Sequence, residues 1–111
     1  MSKHVCTLEM AGAGSVRVEL GFDRALGGFY MTVADGAGAS DGFVYDSGLD
    51  PVLLDQGGLP TDVMHFMEVL KRLQIALPSV IFEEVQLDSE RSVGSKIAIY
   101  DSTGQVIGGT R

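Results

Sequence analysis

His65 and Glu68 stand three residues apart in a stretch of helical periodicity, a spacing that puts an imidazole and a carboxylate on one helix face and offers half of a metal site. Completing it takes a second His-x-x-Glu pair or a His-Glu-x-x-His run. Neither occurs, and His4 is the only other histidine. Cys6 would need a histidine base to act as a nucleophile, but it lies in an alternating, strand-like segment where a free cysteine is commonly a buried structural residue. Glu83 and Glu84 are adjacent and point about 100° apart on a helix, so they are poor partners for paired-carboxylate chemistry. Asp35 to Asp41 brings carboxylates close enough to suggest calcium, yet Ala37 and Ala39 fill positions where an EF-hand loop needs oxygen ligands. Gly12-Ala13-Gly14 and Gly36-Ala37-Gly38 lack the third glycine of a dinucleotide fingerprint, and no Gly-Lys-Ser/Thr or Gly-x-Ser-x-Gly string is present. The sequence therefore predicts no catalytic, metal or cofactor site. An enzyme built on Asp23, Arg24 and His65 ranks only third among the readings of function.

The elements around these residues fall in a simple order. Residues 4–10 alternate as a strand, and Val16, Val18 and Leu20 alternate with Arg17 and Glu19 as a second. Phe29 to Val33 has the aromatic and β-branched content of a third, and Gly42 to Asp46 forms a short fourth. Short glycine-rich turns join them, as in an antiparallel meander. Residues 47–60 break regularity at Gly48, Pro51, Gly57, Gly58 and Pro60. From Thr61 the period changes: Val63, Phe66, Met67, Leu70 and Leu73 make one helix face, with Thr61 or Asp62 as N-cap and Lys71 and Arg72 at the carboxyl end. Pro78 opens a second helix, in which Ile81 and Val85 share a face. Lys96 to Tyr100 and Gln105 to Ile107 are strands around a type I turn at Asp101–Gly104 with a glycine bulge. Four strands, two helices and two strands predict one α+β domain over residues 1–111, an antiparallel sheet of five to six strands packed on two helices.

The chain has a net charge of −7 over 111 residues, and its placement is uneven. Between Arg24 and Lys71 there is no Lys or Arg, while Asp35, Asp41, Asp46, Asp50, Asp55, Asp62 and Glu68 all fall there; the rest of the chain is balanced. Acidic loops of this kind keep a protein soluble. They also suit a basic protein surface, such as that of a nucleic-acid-binding complex, with Asp35, Asp41, Asp46, Asp50 and Asp55 as the candidate partner-binding residues. Direct binding to nucleic acid is disfavoured, because there is no basic stripe to release counterions. A structural or regulatory homodimer pairing its edge strands is the alternative. The single cysteine excludes an internal disulfide, no signal-peptide pattern follows Lys3 and His4, and no apolar run approaches the ~18 residues of a membrane helix. The expected location is the cytoplasm.

The most unusual string is Gly21-Phe22-Asp23-Arg24-Ala25-Leu26-Gly27-Gly28-Phe29-Tyr30-Met31. It suits a strand–turn–strand junction in which Asp23 and Arg24 satisfy turn backbone and Gly27-Gly28 supplies positive φ. With Leu59-Pro60 and Leu77-Pro78 before the two helices, it resembles small accessory proteins of bacterial plasmids, phages and integrative elements. That resemblance implies a genomic setting rather than a mechanism. In size and charge alone the chain is similar to anti-CRISPR and anti-restriction inhibitors of host defence, which implies a non-enzymatic protein-binding role.

Overall fold

The computed structural model describes residues 1–10, 14–35 and 43–110. Strands β1 (Ser2–Met10), β2 (Gly14–Asp23), β3 (Gly28–Asp35) and β4 (Phe43–Asp46) are followed by two 3₁₀ turns, Ser47–Leu49 and Pro51–Gln56. Helices α1 (Met64–Arg72) and α2 (Ser79–Glu90) come next, then β5 (Lys96–Tyr100) and β6 (Val106–Thr110). The fold is α+β, built on one six-stranded sheet in the order β4-β3-β2-β1-β5-β6.

Period-two alternation sorts the side chains between the sheet's faces. Cys6, Leu8, Val18, Leu20, Phe22, Met31 and Val33 point into the core beside Phe66, Leu70, Ile81 and Val85 of the helices. Lys3, Val5, Thr7 and Glu9 of β1 point the other way and stay half-buried or exposed. β1–β2, β2–β3 and β3–β4 pair antiparallel, as the meander predicts.

The sheet is mixed, which corrects the antiparallel expectation: β5 pairs parallel to β1, with Val5 opposite Ile99. The reason is one of direction. After four antiparallel strands β4 points opposite to β1, so a chain that re-enters the sheet where β4 stopped runs parallel to β1. The helices make the crossover that a parallel pair needs.

Helix α1 differs from its predicted face at one residue. At 100° per residue, Val69, Leu73, Phe66, Leu70 and Val63 share one arc, and Met67 lies at its margin. Val69 is accordingly buried and Met67 is 47% exposed. The cap position of α1 is Val63, which makes no side-chain cap bond, rather than Thr61 or Asp62; Asp62 accepts from the Met64 N–H (2.9 Å) from one residue further out. Both helices end on a left-handed residue other than glycine, Gln74 (φ 59°) and Ser92 (φ 52°). Each lets the next N–H reach back to a carbonyl of the last turn, Ile75 to Leu70 and Val93 to Asp88, both at 2.9 Å.

The Gly21–Met31 string is accounted for by packing. Gly21 has no room for a Cβ beneath the Tyr30 ring, whose hydroxyl donates to the Ser2 carbonyl and Glu19 at 3.1 Å each. Phe22 and Phe29 pack in the core with ring centroids 5.4 Å apart. Between them Asp23 accepts from the Leu26 N–H (3.1 Å), and Gly27 turns at φ +69°. Phe29 N–H donates to the Pro60 carbonyl at 2.9 Å, so Leu59-Pro60 docks directly on this junction.

The two glycines of the turn are needed for different reasons. Gly27 is held by its dihedral alone, with nothing within 4 Å of a built Cβ, whereas a Cβ on Gly28 would lie 2.5 Å from the Leu59 carbonyl oxygen. Gly27→Asn should therefore be tolerated, Gly27→Val should cost more than about 1 kcal/mol, and Gly28→Ala should cost most. Urea unfolding checks the order, and a Gly28→Ala protein as stable as the parent would overturn it. Conversely, Gln74→Gly or Ser92→Gly should stabilise by about 0.5–1 kcal/mol by relieving left-handed strain, read as a higher unfolding midpoint.

Candidate functional site

The five aspartates expected at a partner surface are placed very differently from one another. Asp35 closes β3, but its side chain is outside the described residues, as is Asp41 altogether. Asp46 caps the first 3₁₀ turn by accepting from the Gly48 N–H at 2.9 Å. Asp55 is exposed. Asp50 is no free surface charge, since its side chain is only 8% exposed.

Three elements meet on the Asp50 carboxylate. Oδ1 accepts from the Val52 N–H (2.9 Å) and starts the second 3₁₀ turn, with Pro51 in its first position. Oδ2 accepts from the Tyr45 hydroxyl of β4 (2.5 Å) and from Nε2 of His65 on α1 (2.8 Å). Burial pushes this carboxyl upward, but the bonds from Tyr45, His65 and Val52 outweigh it and hold Asp50 below the ordinary carboxylate range. Burial and the neighbouring Asp50 raise the Tyr45 phenol, so it stays a neutral donor. His65 and Asp50 thus form the polar pair that the sequence sought between His65 and Glu68, and it works as a clip.

The clip fixes the walls of a groove of about 720 Å³ between β4, the 3₁₀ turns and α1. Val69 and Leu73 line it from α1, Val44 from β4, and Leu49 and Val52 from the turns, with Asp46, Asp50 and Arg72 also present. Leu49 is 78% exposed and Val52 65%. Large apolar side chains therefore stand in solvent inside the segment that carries all the acidic excess.

Asp23, Arg24 and His65 have separate partners. Asp23 caps the β2–β3 turn, Arg24 reaches toward the Ser92 carbonyl at 3.5 Å, and His65 holds Asp50.

Sequence reasoning missed a buried polar network centred on His4 and Asp88. His4 is fully buried and Asp88 is 2% exposed, and His4 Nε2 donates to Asp88 Oδ2 at 2.5 Å. Tyr100 Oη lies 2.8 Å from His4 Nδ1, and Lys96 Nζ donates to Asp88 Oδ1 at 3.0 Å. The signal was there: His4 occupies the inward register of Cys6 and Leu8, where an imidazole must find a buried partner. Asp88 lies three residues beyond Val85 on the core face of α2. Burial would raise Asp88, but bonds from His4, Lys96 and Ser2 hold it low. Tyr100 is pushed up to about 12 by burial and by Glu84 and Asp88. With Asp88 ionised, the arrangement is a neutral His4 donating through Nε2 and accepting the Tyr100 hydroxyl at Nδ1.

Among the described residues, no group of three or more His, Cys, Asp or Glu is placed to hold a metal, and no helix is long and apolar enough to cross a membrane. No protein-family model, curated protein or solved structure matches this chain.

Burial lowers His4 below its ordinary value of 6.5, outweighing the pull of Asp88. The sign for stability follows from linkage. Below the ordinary value the unfolded chain binds a proton that the folded chain refuses, so this contribution is present above 6.5 and lost as pH falls through the folded value. Asp88 and Asp50 act in the same sense, but only from 3.8 downward. The His4 ring nitrogens should titrate below 6.5 by NMR, and the His4 contribution should weaken as pH falls below 6.5. A His4 midpoint above 6.5 would mean that the native pair is ionic.

Proposed function

We propose that this chain is a non-enzymatic protein-binding module that docks a basic partner on the groove between β4, the 3₁₀ turns and α1. The observation that carries this reading is the coincidence of exposed apolar side chains and unbalanced acid in one segment. Val44, Leu49 and Val52 stand 54%, 78% and 65% exposed. Residues 25–70 around them hold seven acids and no Lys or Arg. Apolar patches of this kind, rimmed by charge, suit protein contacts. Acidic side chains at the rim speed encounter with a basic surface, and the apolar centre supplies most of the retained affinity.

The partner class we favour is a nucleic-acid-binding complex, whose basic channel is the commonest surface of matching sign. Inhibition of such a complex on behalf of a mobile genetic element is the role that best joins this surface to the resemblance of the sequence. The His65–Asp50–Tyr45 clip supports the same reading. Its polar atoms are spent holding the groove open rather than facing a substrate.

The test begins with capture of partners from host lysate on the immobilised protein, followed by binding measurements with the purified partner. Leu49→Ser with Val52→Ser should weaken binding by about tenfold or more, chiefly through faster dissociation. Asp46→Asn with Asp55→Asn should slow association and flatten its salt dependence. Asp50 is left intact, because its removal would unpair Tyr45 and His65 inside the fold. Unchanged binding by both double variants would end the reading.

A further inference from the structure

The opposite edge of the sheet has a different character. β6 stands at the end of the strand order, and among the described residues no strand pairs with its outer side. All five of its residues are exposed, Val106 by 60% and Ile107 by 65%. Ile97 and Ile99 of the neighbouring β5 are each 39% exposed. Residues 97–110 carry one charge, Asp101. Edge strands are ordinarily defended by lysine, proline, inward charge or a bulge, and of these β6 has only a bulge. Ile107 is the extra residue of a bulge opposite Ile99 and Tyr100, and Gly109 (φ +134°) lets β6 come close to Ile97. These irregularities fit β6 to β5.

We infer that the β5–β6 edge is a self-association surface, and that its occupant is the same edge of a second copy of this chain. The argument is electrostatic. Two copies that each carry −7 repel over most of their surfaces, and the excess lies in residues 25–70. β4 and the groove belong to that acidic segment and lie at the far end of the sheet from β6. Meeting at β6 keeps the two acidic regions farthest apart and buries the apolar side chains that no charge accompanies. A two-fold axis sets the same edge against itself, so the unpaired backbone groups of one β6 meet those of the other. The resulting pair carries one acidic groove at each end.

Sedimentation equilibrium across the micromolar range tests this directly. The expected species has twice the 11.8 kDa chain mass, and added salt should strengthen it, because screening relieves the acidic repulsion. Val106→Lys with Ile107→Lys should weaken the dimer by about tenfold or more, with the melting temperature held because both side chains are exposed. A short bis-maleimide should join Ile107→Cys chains and leave Leu49→Cys chains single, Cys6 being buried in both. This second measurement keeps the test decisive even if the double lysine variant misfolds. A monomer at all concentrations, or a dimer cross-linked through position 49 rather than 107, would overturn the inference. Neither result bears on partner binding at the groove, which is read separately.

Discussion

A carboxylate with almost no access to water sets the terms for the rest of this fold. Burying an ion costs several kcal/mol unless its oxygens are bonded and its charge is met. Asp88 meets both conditions through His4 of β1, Lys96 of β5 and Ser2 at the start of β1. These bonds join β1 to α2 and β5, elements that lie at opposite ends of the chain. α2 cannot leave β1 without stranding His4, and β5 cannot leave without removing the cation. The parallel β1–β5 pairing is therefore tied down by polar geometry as well as by the buried Cys6, Ala98 and Tyr100.

The same device appears at the other end of the sheet. Asp50 draws Tyr45, His65 and the Val52 amide onto one carboxylate, and so joins β4, the 3₁₀ turns and α1. Residues 47–60 turn most of their apolar side chains outward, with Leu49, Val52 and Leu54 exposed. Capping by Asp46 and Asp50, together with Leu53 at 2% exposure, supplies what packing does not. Rigid polar clips beneath an exposed apolar surface are what a docking site needs, since a groove held open in advance loses less entropy on binding.

What could be read in the sequence was local. The alternation of Val16, Val18 and Leu20 marks β2, the Asp101–Gly104 turn closes with Gly104 N–H on the Asp101 carbonyl at 3.0 Å, and Ile81 and Val85 are fully buried together. What could not be read was the meeting of distant residues. Asp88 looks like any helix carboxylate until His4 is placed beneath it, 84 positions away. Asp50 reads as loop charge until Tyr45 and His65 converge on it. The acidic count treated seven residues as equivalent, whereas folding consumes Asp50 outright, engages Asp46 in capping and ties Asp62 to the Met64 N–H. Charge along a chain measures supply, and the structure decides how much is left to face a partner.

That distinction bears on how an acidic surface can be specific. A dispersed negative field attracts any basic protein and holds none of them well. On the reading proposed above, the field is coupled to Leu49 and Val52, whose burial would yield free energy only against a partner shaped to cover them, so that charge would govern arrival and apolar fit residence. If two such surfaces are carried on one continuous sheet joined at β6, the second engagement becomes intramolecular. Modest affinity at each groove then suffices for tight capture of a partner with repeated basic sites. Repeated basic sites are what an extended nucleic-acid channel presents, so the geometry of the pair favours a long basic channel over an isolated basic patch.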